Sequence, residues 1–122
     1  MTVTVLPTRT SAQWGAAVEV LAQAVAVADH PLVTEHAITA EQMLLDAGQP
    51  TRAWANRIAA VAVIAERRAD AAPTIDRRIA YLDLAAAAAA LLLLAHDVHA
   101  VRPNDAALSV LEATGQRTAG LI

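Results

Sequence analysis

The chain has 122 residues and no cysteine: enough for one core domain, with disulfide scaffolds, thiolate zinc sites and thiol chemistry excluded. Its net charge of −3 supplies no bulk attraction to nucleic acid or to anionic lipid. With 57% hydrophobic and only 17% charged residues, most of it lies outside the disordered class.

Alanine makes up about a quarter of the chain and is the strongest intrinsic helix former. Phenylalanine is absent, Tyr81 is the sole tyrosine, and Trp14 and Trp54 are the two tryptophans. Few apolar runs alternate as strands do. The composition therefore predicts an all-α fold: a small antiparallel helical bundle of four main helices plus a short C-terminal helix.

Residues 1–10 alternate polar and apolar up to Pro7 and read as an extended arm. The bundle is expected over residues 11–115. Thr10 caps a first helix, Ser11 to Asp29, with Trp14, Val18, Leu21, Val25 and Ala28 on one stripe. Pro31 ends this helix or starts the next. A second helix covers Thr34 to Ala47, its start free to slip to Thr39, with Val33, Ala37, Ala40 and Leu44 as its stripe and Gly48 as its stop. Thr51 caps a third, Arg52 to Asp70, striped by Trp54, Ile58, Val61 and Ala65. Thr74 caps a fourth, Ile75 to Val101, which Pro103 stops; Asn104 caps a short fifth ending near Gly115. Residues 116–122 read as a flexible tail. A faint repeat, Ser11/Trp14 and Thr51/Trp54, suggests two αα-hairpins on one plan.

The longest uncharged apolar stretch, Leu84 to Ala95, is shorter than the roughly 18 residues a membrane span needs. Gln13, Glu19 and Gln23 interrupt the apolar run that could pass for a signal peptide. The expectation is a cytoplasmic protein with no membrane partner.

Four constellations could carry function. His96 and His99 lie three apart on the fourth helix, a spacing that lets two imidazoles share a metal, and His30 and His36 flank Pro31. In an up-down bundle the two pairs sit at opposite ends, so no tight metal site is expected; His96 reads as partly buried and His99 as solvated. Residues 43–58 read as helix, Gly48 turn and Thr51-capped helix, the spacing of a helix-turn-helix, with Arg52, Asn56 and Arg57 as the groove-reaching side chains. The same pattern builds any αα-hairpin, and the chain lacks a basic stripe, so nucleic acid is not the expected partner. Arg67, Arg68, Arg77 and Arg78 cluster around the turn before Thr74 and suit either an anionic partner or a local ion-pair network with Glu66, Asp70 and Asp76.

The fourth constellation is the fourth helix, apolar on two faces. Ile75, Ile79, Leu82, Ala86, Ala89 and Leu93 form one stripe, expected in the monomer's core. Leu84, Ala87, Ala88, Leu91, Leu94, Ala95 and Val98 form another, uncharged throughout and expected to pair with a second copy. Phosphate loops, nucleophile elbows and Glu-x-x-His repeats are absent, and Asp83 reads as solvated rather than as a general acid. No cofactor is implied. The leading reading is a small interaction or regulatory module acting as a homo-oligomer. Helix-turn-helix DNA binding comes next, then a metal- or small-molecule-binding bundle with possible enzymatic activity. Trp14 and Trp54 are both expected in the core.

Overall fold

A computed structural model describes the backbone of residues 5–114 and the side chains of residues 12–113. The protein is all-α: α1 (Val5–Ala28), α2 (Pro31–Ala47), α3 (Arg52–Ala71), α4 (Ile75–His99) and α5 (Asp105–Thr114). Each of the four long helices packs on its neighbour in sequence. α4 returns to α1, which closes the bundle, and α5 lies against α3.

The helix boundaries follow from local chemistry. Thr51 and Thr74 adopt extended backbone, and their hydroxyls accept from the N–H of Trp54 and Arg77 at 3.2 Å. Asn104 Oδ1 accepts from Ala107 N at 2.8 Å and opens α5 in the same way. Gly48 closes α2 at φ 73°, donating its N–H to the Leu44 carbonyl.

Two starts differ from the sequence reading. α1 begins at Val5, so the extended arm does not hold for residues 5–10. Pro7 falls in the first turn, where a helix needs no N–H from it. The rest of the expected arm, residues 1–4, and the tail at 116–122 lie outside the described residues. α2 begins at Pro31, because proline at the first helical position is pre-set for a helix and places His30 at the cap.

The helical stripes of α1 and α3 are where the periodicity places them. Leu21, Val25 and Ala28 are buried on α1, and Trp54, Ile58, Val61 and Ala65 on α3. α3 is the most enclosed helix, being covered by α2, α4 and α5. Glu66, a candidate partner of the arginines, is fully buried on it.

On α4 the two apolar faces are exchanged. Tyr81, Leu84, Ala88, Leu91 and Ala95 recur at alternating spacings of three and four, and all are buried inside the single chain. Leu84 is 0% exposed and Leu91 1%. The stripe expected in the core instead faces outward: Ile75 is 68% exposed, Ile79 49%, and Ala86 and Leu93 are exposed with them. Of that stripe only Ala89 is buried and Leu82 partly so. Leu84, Ala88, Leu91 and Ala95, expected to meet a second copy, are therefore covered by the chain's own helices, and Ala87 is largely buried at the edge of the α1–α4 contact. Leu94 is half-buried, and Val98 alone of that set is exposed. The physical reason is charge. A helix apolar all round gives periodicity nothing to choose between, and the core takes the face with no ionised group to desolvate. The outward stripe carries Asp83.

α3 and α4 meet through small residues. Ala55, Ala62, Ala85, Ala88 and Ala95 are all fully buried, which lets two backbones approach closely. Among the described residues, α4 is also the helix long and apolar enough to cross a membrane, a length the uncharged run alone understates. Of its most apolar window, 56% is buried within the bundle.

Two helix ends make a matched test of backbone strain. Gly48 at φ 73° has open space where a Cβ would sit, so Gly48→Ala should cost about 1 kcal/mol from conformation alone. Ala100 ends α4 at φ 55°, a conformation that glycine adopts more easily. Ala100→Gly should therefore raise stability by a few tenths to about 1 kcal/mol in urea unfolding. If both changes moved the midpoint in the same direction, the left-handed assignments would be wrong.

Candidate functional site

Among the described residues, features outside the core include an aromatic cavity at one end, a polar cluster at the other, and an apolar groove along the side.

The aromatic end gathers the first half of α1 at Trp14, the α2–α3 turn and the end of α4. The Trp14 ring lies 5.5 Å from that of Trp54, tilted by 48°, and 5.6 Å from that of His99, edge-on at 75°. Trp54 is buried as expected. Trp14 is only half-buried and lines a half-open cavity of about 410 Å³, so the expectation that both tryptophans are core residues holds for one of them. Leu44, Leu45, Gly48, Gln49 and Pro50 line it from α2 and the turn, and His99 from α4. This size lies in the lower part of the small-molecule range. The sequence carries one trace of it: the faint repeat puts each tryptophan near the start of the first helix of a hairpin. The two hairpins close into one bundle with both at the same end.

At the opposite end, Arg77 donates from Nη2 to the carbonyl of Ala28, the last residue of α1, and to the Tyr81 hydroxyl at 3.2 Å. Its guanidinium carbon also sits 5.2 Å from the Tyr81 ring centre. α1 has no basic residue in its own last turn, and Arg77 supplies that cation from α4. Arg77 lies in the first turn of α4, the end where a cation is unfavourable to its own helix, and its charge is used by α1 instead. Arg67, Arg68 and Arg78 are exposed, and among the described residues no ion pair links them to Asp70 or Asp76.

His30 caps α2, its Nδ1 accepting from Val33 N at 3.4 Å, and its ring lies edge-on to Tyr81. Burial is the first cause that holds His30 below the ordinary histidine value of 6.5; the charges of Arg68 and Arg77 add to it. The folded state thus favours neutral His30, as a ring nitrogen that accepts must be unprotonated. Because the folded value is depressed, the unfolded chain binds more protons as pH falls below about 6.5. The stabilisation is fully present above that pH and is lost as pH falls through the folded value. Asn caps a helix without titrating there, so His30→Asn should flatten this part of the profile. The melting temperature of wild type should drop more than that of His30→Asn between about pH 7.5 and 5. Parallel curves would show that His30 does not carry it.

The two histidine pairs do not meet. His30 lies beside Tyr81 at one end and His99 beside Trp14 at the other. His36 Nδ1 accepts from Arg57 Nη1 at 3.0 Å. His96 is exposed rather than partly buried, 3.8 Å from its neighbour Asp97. Among the described residues no three His, Asp or Glu side chains gather in a way that could hold a metal.

The helix-turn-helix candidates are used inside the chain. Asn56 Oδ1 accepts from Asn104 N at 2.9 Å and anchors the start of α5, and Arg57 is tied to His36. Arg52 is exposed. A recognition helix needs a free face over its length, whereas α3 has ten buried residues from Trp54 to Ala69. The side of α3 left outside its contacts with α2, α4 and α5 runs through Ala53, Arg57, Ala60, Ile64 and Arg67 and is half-buried over its middle.

The third feature is a groove of about 480 Å³ between α1 and α4. Val20, Ala24 and Val27 form one wall; Ala80, Ala86, Ala87 and Ala90 form the floor and the other wall; Gln23 and Asp83 are its polar members. Val20 is 55% exposed and Val27 65%. Comparison of the chain with protein-family models, with curated proteins and with solved structures finds no match.

Proposed function

We propose that the protein is a helical interaction module that works as a homo-oligomer, with the α1–α4 groove as its self-association surface. The observation that carries this reading is a ridge and a trough on the same face. Val20 and Val27, seven residues apart on α1, stand out beside the alanine floor of Ala86 and Ala90 on α4. A two-fold pairing sets the valines of one copy over the alanines of the other, the self-complementarity an isologous interface requires. The exposed Ile79 and Leu93 extend the apolar stripe of α4 at both ends of that floor. Exposed apolar residues grouped on one face, rather than scattered singly, are what an interaction surface supplies.

Ala86 and Ala90 are exposed, so arginine at either position has room within one chain. The Ala86→Arg/Ala90→Arg protein should keep its helical circular dichroism and elute as a smaller species than wild type in chromatography with light scattering. A double variant whose mass equals that of wild type would overturn the assignment of this face.

A further inference from the structure

We infer that the crevice between α1 and α2 is a docking site for a basic amphipathic helix of a partner protein, one of whose aliphatic side chains inserts between the two helices. The site lies on the other side of α1 from Val20 and Val27 and does not depend on self-association.

The first argument is a gap in the bundle. Of the neighbouring helices among the four long ones, α1 and α2 touch least. A crevice of about 70 Å³ opens there. Ala22 and Val25 line it from α1, Ala37 and Leu44 from α2, and the core residues Ile58 and Leu91 lie at its base. Sites for free small molecules run from about 300 Å³ upward. This crevice instead takes the end of one side chain, the anchor on which helix-in-groove recognition relies.

The second argument is the rim. Glu41 is the charged residue of the lining. Ile38, three residues before it, and Leu45, four after, share its face of α2 and are 65% and 68% exposed. Glu19, exposed, lies three residues before Ala22 on the matching face of α1. From Ala12 to Thr51 the chain holds Glu19, Asp29, Glu35, Glu41 and Asp46 and neither arginine nor lysine. Arg57 of α3 is held by His36 on the other edge of α2. An apolar centre inside a rim of one sign complements a helix whose leucines are flanked by lysine or arginine. The same rim repels a phosphate backbone or an anionic lipid surface. A second copy presenting this face would set acid against acid.

The test is a nuclear magnetic resonance titration of the labelled full chain with three synthetic peptides. One is a leucine–lysine peptide with leucines at helical spacing, one its leucine–glutamate counterpart, and one a leucine–lysine peptide with the spacing scrambled. The first should shift the backbone signals of Ala22, Ala37 and Glu41 saturably and bind at least about tenfold more tightly than the other two. Glu41→Lys and Ile38→Ser/Leu45→Ser, all exposed changes, should each weaken it severalfold with circular dichroism unchanged. Val20→Ser/Val27→Ser should leave it as in wild type. Equal binding of the ordered and scrambled peptides would overturn the proposal in favour of bulk charge attraction. So would an absence of saturable shifts at the crevice, or an Ile38→Ser/Leu45→Ser chain that binds as wild type does. The same double variant sedimenting at a lower mass than wild type would overturn it by giving the face to a second copy.

Discussion

Leu91→Arg is expected to unfold the protein, while Ala90→Arg, one residue away, is expected to leave the fold intact. Leu91 is 1% exposed, between Ala88 and Ala95 on the inward seam of α4. Arginine there would bury a charge among alanines and leucines and overfill a seam built on close approach. The cost, of the order of 4–5 kcal/mol or more, is comparable with the whole stability of a small domain. Ala90 faces solvent at the groove floor, and arginine is itself a good helix former, so the change there should stay within about 0.5 kcal/mol. Far-ultraviolet circular dichroism with thermal melting separates the two. A Leu91→Arg protein that remained helical and merely lost a partner would return the inward seam to the role of an interface.

Trp54→Ala should cost about 3–5 kcal/mol. Its ring is 2% exposed, and it packs on Trp14 at the end where α1, α3 and the end of α4 converge. Trp14→Ala should cost clearly less, because Trp14 is half-buried and one side of it meets the cavity. Urea denaturation of both variants gives the comparison directly. Equal losses would place Trp14 in the core and close the cavity as a site.

Much of this fold is legible in the sequence, and the legible parts share one property. Where a helix carries a single apolar stripe, as α1 and α3 do, spacing alone identifies the buried face. Thr51, Thr74, Asn104 and Gly48 announce their helix ends because each residue type performs one capping task well. The failures have equally local causes. α4 has two apolar faces, and bulk at Ile75 and Ile79 points to the wrong one. The informative signal is the absence of charge between Leu84 and Val98 on the other. The polar/apolar alternation up to Pro7 reads as an extended arm, although a first helical turn tolerates proline and α1 begins at Val5.

The sites are less legible because they depend on contacts distant in sequence. Arg77 reaches Ala28 across 49 positions, and Asn56 reaches Asn104 across 48. No spacing rule finds such pairs. The capping role of His30 also escapes the sequence reading, which starts the second helix at Thr34 instead of Pro31. The aromatic cavity needs Trp14, the α2–α3 turn and His99 at one end of the bundle, which only the closure of α4 onto α1 provides.

The central claim is that the outward face of α4 and its groove with α1 belong to a second copy of the chain. Sedimentation equilibrium of the unmodified protein from about one to a few hundred micromolar, a range that spans moderate dimer affinities, tests it most directly. The account predicts a mass that rises with concentration toward twice the 12.7 kDa of one chain. A mass that stays at 12.7 kDa throughout would contradict it.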